Sequence, residues 1–421
     1  MKTDNDNKVG IKRTHVRLYA DVRKVLLRYL DFGLDRQRIM PIYDHIRKMS
    51  DEQVAEELER VYQLFSHRHD NLEDRLDQNY TRVSEVLPQS LEKQRRLLLG
   101  SYFTHEYSVQ AAALFNPSIV PHPDRKGVDD KDIRFVLSLR STGEGHISSI
   151  SFCEGISKSS GEIELDEMSN KMSSGKIGFA EDYYSVQFDE DLPLSGRVLF
   201  PQTREERMGM EDVRFVYMED EKKYIGTYTA YDGFKIKPEI IVTKDFKDFR
   251  IGGLKGSAVT NKGLALFPKK IDGKYAMIGR QGGRNLSIMF SDDLYHWDDS
   301  ELLQEPQRTW ELLQIGNNGS PIETEAGWLL LTHGVGPMRR YTLSMSLLDL
   351  ENPAKLIASL EQPLMSPNEE EREGYVPNVL YTCGMMKQGQ ELIIPYAMSD
   401  SAISFARISI PEVLNHLKKQ A

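Results

Sequence analysis

The sequence predicts a mainly β fold, a five-bladed β-propeller, preceded by an N-terminal α-helical region. Three observations predict it. Short apolar runs closed by Gly, Asp or Asn fill the chain from about residue 114 onward. One strand plan repeats among them, with aromatic anchors Tyr224, Tyr275 and Trp328 standing about fifty residues apart, a blade-sized period. Before residue 114 the apolar residues recur instead at helical spacing.

The expected division is therefore 1–113, helical, and 114–421, the propeller. "DVRKVLLRYL", "DEQVAEELERVYQLFSHRHDNLEDRLDQNYTRV" and "LEKQRRLLLGSYFTHEYSVQAAALF" all read as helix. Ser50 followed by "DEQ" supplies a capping hydroxyl, first-turn acids and Gln53 at the capping-box position. This region is expected to be structural or an oligomer contact, the alternative being a wall at one end of a binding site.

In the second part, "FVYMEDEKKYIGTYTAYDG", "LFPKKIDGKYAMIGRQGG" and "PIETEAGWLLLTHGVG" share one order: a strand, an acidic or Gly turn, a strand opening on an aromatic, then Gly. "VLYTCGMMKQGQELIIPYAMSD" is a looser copy, and "IRFVLSLR" adds a first blade. Residues of about 153 to 200 are rich in Ser, Gly and charge and read as a long surface loop. A propeller gathers strand-end side chains around one axial channel. Polar residues at strand ends are thus the candidates: Asn116, Ser118, Arg140, Glu211, Asp212, Arg214, Tyr231, Asp232, Asn261, Lys262, Arg280, Asn317, Asn318, His333, Arg339, Arg340 and Asp400.

Composition narrows the chemistry. With 39% hydrophobic and 28% charged residues the chain is an ordinary globular mix, and a formal charge of −10 argues against a nucleic-acid partner. No apolar run reaches bilayer length, and the opening "MKTDNDNKVG" has no apolar signal core, so no membrane partner and a cytoplasmic location are expected. Cys153 and Cys383 show neither ligand spacing nor a disulfide framework and read as apolar fillers. His67 and His69 form the single HxH, in a charged helical stretch, and read as solvated; no metal is expected. Neither phosphate-loop motif nor nucleophile elbow occurs. Acids, arginines, amides and aromatics remain, the residue types of sugar recognition and glycosyl transfer. Glycoside hydrolysis usually takes two carboxylates, whereas here only Asp212 stands out as an acid, and the Lys and Arg positions suggest an anion.

The motifs "FNPSIV", "LSLR", "GMEDVRFV", "YTAYDG", "NKGLALFPKKIDGKYAMIGR", "SDDLYHW", "GSPIETEAGWLLLTHGV", "YVPNVLY" and "YAMSD" resemble, in order, the blade motifs of glycoside hydrolase family 130. The resemblance covers about residues 114 to 415, and the helical region is similar to the extension of one subgroup. It implies a five-bladed propeller acting on β-mannosides. It also implies inverting phosphorolysis, in which inorganic phosphate releases α-mannose 1-phosphate. Asp212 would be the general acid, delivering its proton through a sugar hydroxyl. Lys262 and Arg280 would hold phosphate with His333 near the anion. Asn116, Ser118, Arg140 and Asp400 would bind mannose; Glu211, Arg214, Tyr231 and Asp232, read from their strand-end positions, are expected as further substrate contacts. Phosphate is then a co-substrate, with no cofactor and with a β-manno-oligosaccharide as partner; a homo-oligomer is compatible. Two departures keep an alternative open. Lys262 stands where phosphorylases of the family usually carry Arg, and Gln314 where they often carry Lys. Some relatives that lost these cations are hydrolases, so an inverting β-mannosidase using water is the second reading, with Glu239 or Glu323 as base. Arg339 or Arg340 could replace a lost cation. A non-catalytic glycan-binding propeller is the third reading.

Overall fold

The structure, a computed structural model, describes residues 9–419. Strand makes up 40% of the chain and helix 17%, so the fold is mainly β. The chain divides into two compact units. The larger takes the residues up to Ala20, Gln110–Met168 and those from Ser174 onward; the smaller takes Asp21–Val109 and Ser169–Ser173. The first twenty residues thus fall outside the helical unit, because Ile11–Arg13 and Leu18–Tyr19 pair with the strand Ala402–Ser409.

The smaller unit holds helices α1 (Arg36–Lys48), α2 (Asp51–Phe65), α3 (Leu72–Ser84) and α4 (Lys93–Ser101). Their apolar faces meet around Ile39, Tyr43, Val54, Tyr80, Val83 and Leu98. The capping box forms: Gln53 N donates to Ser50 Oγ at 3.3 Å and Ser50 N to Gln53 Oε1 at 2.9 Å. Two helical expectations are corrected. Val25–Tyr29 is a strand paired antiparallel with Thr104–Ser108, and the third of the predicted helical stretches is helical only as α4, which stops at Ser101. Consecutive Val25, Leu26 and Leu27 are all buried, a run whose periodicity cannot tell strand from helix; the partner strand decides it. His69 is likewise not a solvated surface residue. It lies between α2 and α3, buried, with Nε2 2.7 Å from Glu106 Oε1. Burial holds its pKa below the usual value.

In the larger unit the sheets follow one another along the chain. An eleven-stranded sheet consists of two runs. The first is Ala113–Pro121, Ile133–Thr142 and Ser148–Ser157, with Ile163–Leu165 and Val198–Leu199 alongside. The second is Gly209–Met218, Lys223–Tyr231, Ile236–Thr243, Asp248–Gly253, Tyr183–Gln187 and Lys176–Phe179. A single parallel pair, Gly209 with Ser148, links them. The stretch 153–200 is therefore not simply a loop; it supplies edge strands to both runs. A four-stranded sheet (Ala265–Leu266, Tyr275–Gly279, Leu286–Ser291, Glu301–Gln304) comes next. A five-stranded sheet (Gln314–Asn317, Ile322–Thr324, Gly327–Val335, Tyr341–Leu348, Leu356–Ser359) follows. The last, six-stranded, combines Leu380–Tyr381, Met386–Gln388, Glu391–Met398 and Ala402–Ser409 with the two N-terminal strands. Helix α5 (Ile410–Lys418) closes the described chain. The anchors Tyr224, Tyr275 and Trp328 are all buried, and each stands at or within one residue of the start of its strand. Cys153 and Cys383 are buried and unbonded to each other, and burial pushes the Cys383 thiol up to about 12. No helix is long and apolar enough to cross a membrane among the described residues.

Candidate active site

The site is built by two matching β-bulges. Along Gly209–Met218, Glu211 pairs with Thr229 and Arg214 with Thr227, so Asp212 and Val213 together face one partner residue. Val213 stays in the apolar core while Asp212 takes φ +56°. Along Ala113–Pro121 the same break lies between Phe115 and Ser118, and Asn116 takes φ +49°. Asp and Asn tolerate this left-handed backbone better than other side chains. Each bulge re-aims a polar side chain, and the two meet: Asn116 Nδ2 donates to Asp212 Oδ1 at 2.7 Å.

Arg140, opposite Phe115, ties the pair together. It donates from Nη1 to Asp212 Oδ1 (3.1 Å), from Nη2 to Glu211 Oε1 (2.7 Å) and from Nε to Ser148 Oγ (2.9 Å). Arg214 donates to the Asp212 carbonyl (2.7 Å) and to the Tyr381 hydroxyl (2.8 Å). Lys262 Nζ stands 4.0 Å from Glu211 Oε2. Arg280, 9% exposed, makes no ion pair among the described residues, and its Nε finds no partner there. Gly316 leaves room for it: a Cβ there would come within 2.4 Å of His333 and 3.3 Å of Arg280.

Asn116, Arg140, Asp212, Lys262, Arg280, His333 and Tyr381 line one cleft of about 130 Å³, with Phe115, Gln314, Arg339, Tyr341, Val376, Val379 and Asp400 completing its wall; Glu211 lies behind Arg140 and does not line it. An adjoining recess adds Arg214, Gly263, Gly316 and Asn317. Arg140, Arg214, Lys262, Arg280 and Arg339 thus face two lining carboxylates, Asp212 and Asp400. That excess of cations suits an anion. Arg339 and Asp400 also have positive φ, so backbone strain concentrates in the wall.

The two carboxylates sit in different environments. Burial pushes Asp212 up, but Arg140, Arg214 and Lys262 outweigh it and hold the group at about 2. Burial dominates at Asp400, with Asp212 adding to it, and raises it from the usual 3.8 to about 7 against the pull of Arg140 and Arg339. This gives a stability prediction. A folded value above the unfolded one favours the protonated form, so the residue's contribution is complete below 3.8 and is lost as pH rises through about 7. Asp400→Asn should raise stability at about pH 8 by on the order of 2 kcal/mol and change it little near pH 4. Melting temperatures at both pH values check this, and an equal shift at both would contradict it.

His333 is buried. Asn318 Nδ2 donates to the Thr382 carbonyl (2.7 Å), which turns Asn318 Oδ1 toward His333 Nδ1 at 3.1 Å. Nδ1 therefore carries the hydrogen and Nε2 is left as an acceptor. Burial, with Arg280 and Arg214 nearby, holds the ring well below its usual pKa, so it is neutral.

Not every candidate reaches the cleft. The Ser118 hydroxyl is buried behind it and accepts from Phe215 N at 3.1 Å, bracing the strand that bears Asp212. Asp232 accepts from Phe234 N (2.7 Å) and Lys235 N (2.6 Å), and the Tyr231 hydroxyl donates to the Gly233 carbonyl (2.9 Å); both residues shape a turn. Arg340 donates to the Pro367 carbonyl and does not line the cleft. Nor do the two expected bases. Glu239 sits in a buried cluster, accepting from Tyr228 Oη (2.7 Å) and Lys237 Nζ (2.9 Å), and Glu323 pairs with Lys269. Tyr341, Tyr381, Phe115, Val376 and Val379 escaped sequence reasoning. Tyr381 and the two valines lie within "YVPNVLY", so the motif was visible although their position in the wall was not. Among the described residues no group of three or more His, Cys, Asp or Glu is placed to hold a metal.

A sequence model of glycoside hydrolase family 130, described as β-1,4-mannooligosaccharide phosphorylase, matches residues 166–419. The chain belongs to this family. The matched span carries Asp212, Lys262, Arg280, His333 and Asp400, while Asn116 and Arg140 lie before it. The chain is similar to a 1,2-β-oligomannan phosphorylase of Thermoanaerobacter sp. (strain X514), 33% identical over 56% of this chain and 80% of the relative. It is also similar to a β-1,2-mannobiose phosphorylase of Listeria innocua serovar 6a, 28% identical over 63% and 74%. Among solved structures, the β-1,2-mannobiose phosphorylase from Listeria innocua in complex with β-1,2-mannobiose superposes with a TM-score of 0.56 at 20% identity, over 75% of this chain and 94% of that one. A structure of family 130 glycoside hydrolases that target β-1,2 mannosidic linkages in Candida mannan superposes with a TM-score of 0.54 at 19% identity, over 72% and 86%. At these identities the structural likeness speaks to the fold alone.

Proposed function

We propose that this family 130 member is an inverting β-mannoside phosphorylase, releasing α-mannose 1-phosphate from manno-oligosaccharides. The observation that carries the reading is Arg280: a buried guanidinium with no carboxylate partner among the described residues, in a cleft where cations outnumber acids. Lys262 and Arg280 hold inorganic phosphate for attack on the anomeric carbon. The neutral His333 supplies no charge; its bare Nε2 accepts the hydrogen of a phosphate P–OH. Asp212 is the general acid, and Arg140 and Asn116 orient it. Asn116, Arg140 and Asp400 contact the mannosyl unit, Glu211 holds the Arg140 guanidinium in place, and Arg214 stiffens the bulge through the Asp212 carbonyl. As the phosphate C–O bond forms, the glycosidic C–O bond breaks and the leaving oxygen takes the Asp212 proton by way of a sugar hydroxyl. Fixed cations aimed at the attacking phosphate supply much of the rate. No cofactor enters this scheme. The architecture that supports it is a five-bladed propeller, the eleven-stranded sheet counting as two blades joined at Gly209 and Ser148.

Incubating β-1,2- and β-1,4-mannobiose with and without phosphate tests the reading. Mannose 1-phosphate should appear only with phosphate. Free mannose released equally fast without phosphate would overturn it in favour of a hydrolase.

A further inference from the structure

At the rim of the cleft two aromatic side chains meet without being buried. Tyr375 is 49% exposed, and its ring stacks on that of exposed His146 with centroids 6.2 Å apart and planes at 29°. Tyr375 Oη and His146 Nδ1 are 2.9 Å apart, within hydrogen-bond reach. The backbone under Tyr375 is pinned although the ring is not covered. Tyr375 N donates to Ser401 Oγ at 2.7 Å, and Val376 N to the Ser399 carbonyl at 3.0 Å. Gly374 permits this close approach, since a Cβ there would meet the Ser399 carbonyl at 2.4 Å. The platform is thus tied to the cleft wall through its chain neighbours: Val376 lines the cleft, and Ser399 and Ser401 flank Asp400. His146 arrives from the other side of the chain, on the hairpin between Arg140 and Ser148, with a left-handed φ of +59°.

A rigidly held, exposed aromatic face with polar edges beside a polar cleft suits the apolar face of a pyranose ring. We propose that Tyr375, backed by His146, is the stacking subsite for the sugar on the reducing side of the cleaved bond, the leaving group in phosphorolysis and the acceptor in synthesis. The inference rests on the phosphorylase reading above. The mannosyl unit and phosphate occupy the charged floor, where neither aromatic contributes.

The test runs the reaction backwards, from mannose 1-phosphate and mannose or a manno-oligosaccharide. Tyr375→Ala should raise the acceptor KM on the order of 10-fold and leave the mannose 1-phosphate KM within about 2-fold. Tyr375→Phe should stay near wild type, and His146→Ala should raise the acceptor KM by less than Tyr375→Ala. An acceptor KM unchanged in Tyr375→Ala, or both KM values rising together, would overturn the proposal. A wild-type chain inert in both directions would overturn the phosphorylase reading and this inference with it, a result distinguished by the inactivity of the wild type itself.

Discussion

With Asp212 as the proposed general acid, Asp212→Asn should lower kcat for phosphorolysis of a β-mannobiose by about 10³-fold while leaving the sugar's binding near normal. The amide keeps the shape of the carboxylate and still accepts from Asn116 and Arg140, so the bulge and the mannosyl contacts survive. It has no acidic proton to give. The wild-type carboxyl, held at about 2 in the free protein, is ionised at neutral pH and must gain a proton before it can act. Ligand binding supplies the means. A phosphate dianion held as proposed would offset Lys262, one of the three cations that depress the group, and the sugar would exclude water from it; both effects favour the neutral acid. Binding of both ligands to the wild type should therefore take up a proton that the variant does not, read by calorimetry in two buffers of different ionisation enthalpy. A variant retaining more than about a tenth of wild-type kcat would remove Asp212 from the acid role. Equal binding with no turnover in either protein would favour the glycan-binding alternative.

With Arg280 as the proposed phosphate ligand, Arg280→Ala should lower kcat/KM for phosphate by about 10²- to 10³-fold, the loss expected when one fixed positive group is taken from a developing charge. Arg280→Lys recovers part of it, because an ammonium restores the charge but not the two-pronged donor fork. The variant should not be less stable without phosphate: the wild-type guanidinium is buried with no carboxylate beside it among the described residues, an arrangement that costs stability until an anion arrives. A melting temperature that holds or rises separates this effect from misfolding. A phosphate KM equal to wild type would place the anion elsewhere. A phosphate-independent rate preserved in full would point to water as the nucleophile, although Glu239 and Glu323 both lie away from the cleft.

Much of the molecule was legible in the sequence, for identifiable reasons. The repeat of Tyr224, Tyr275 and Trp328 was visible because each repeating unit must bury an aromatic at the same point of its strand. The Ser50–Gln53 box was visible because capping is local. Asp212, Lys262, Arg280, His333 and Asp400 stood out at strand ends and within family motifs, and one cleft receives them all. Tyr231 and Asp232 carried the same signal, a polar pair after a strand, yet they serve a turn; sequence position cannot tell a turn cap from a channel wall. Val25–Tyr29 failed for a related reason, its partner lying about eighty residues away at Thr104–Ser108.

The sequence by itself determined the mainly β class, the family and the residue types of the site, since all three are written in local pattern and short motifs. Tertiary structure decided how those residues behave. Asp212 and Asp400 are the same side chain, and one is held near 2 and the other near 7 only because Arg140, Arg214 and Lys262 crowd the first while burial governs the second. The tautomer of His333 depends on an amide whose other end is fixed by Thr382. The meeting of Asn116 with Asp212 depends on two bulges 96 residues apart. Each of these is a distance between groups remote in sequence, and such distances exist only once the strands have paired.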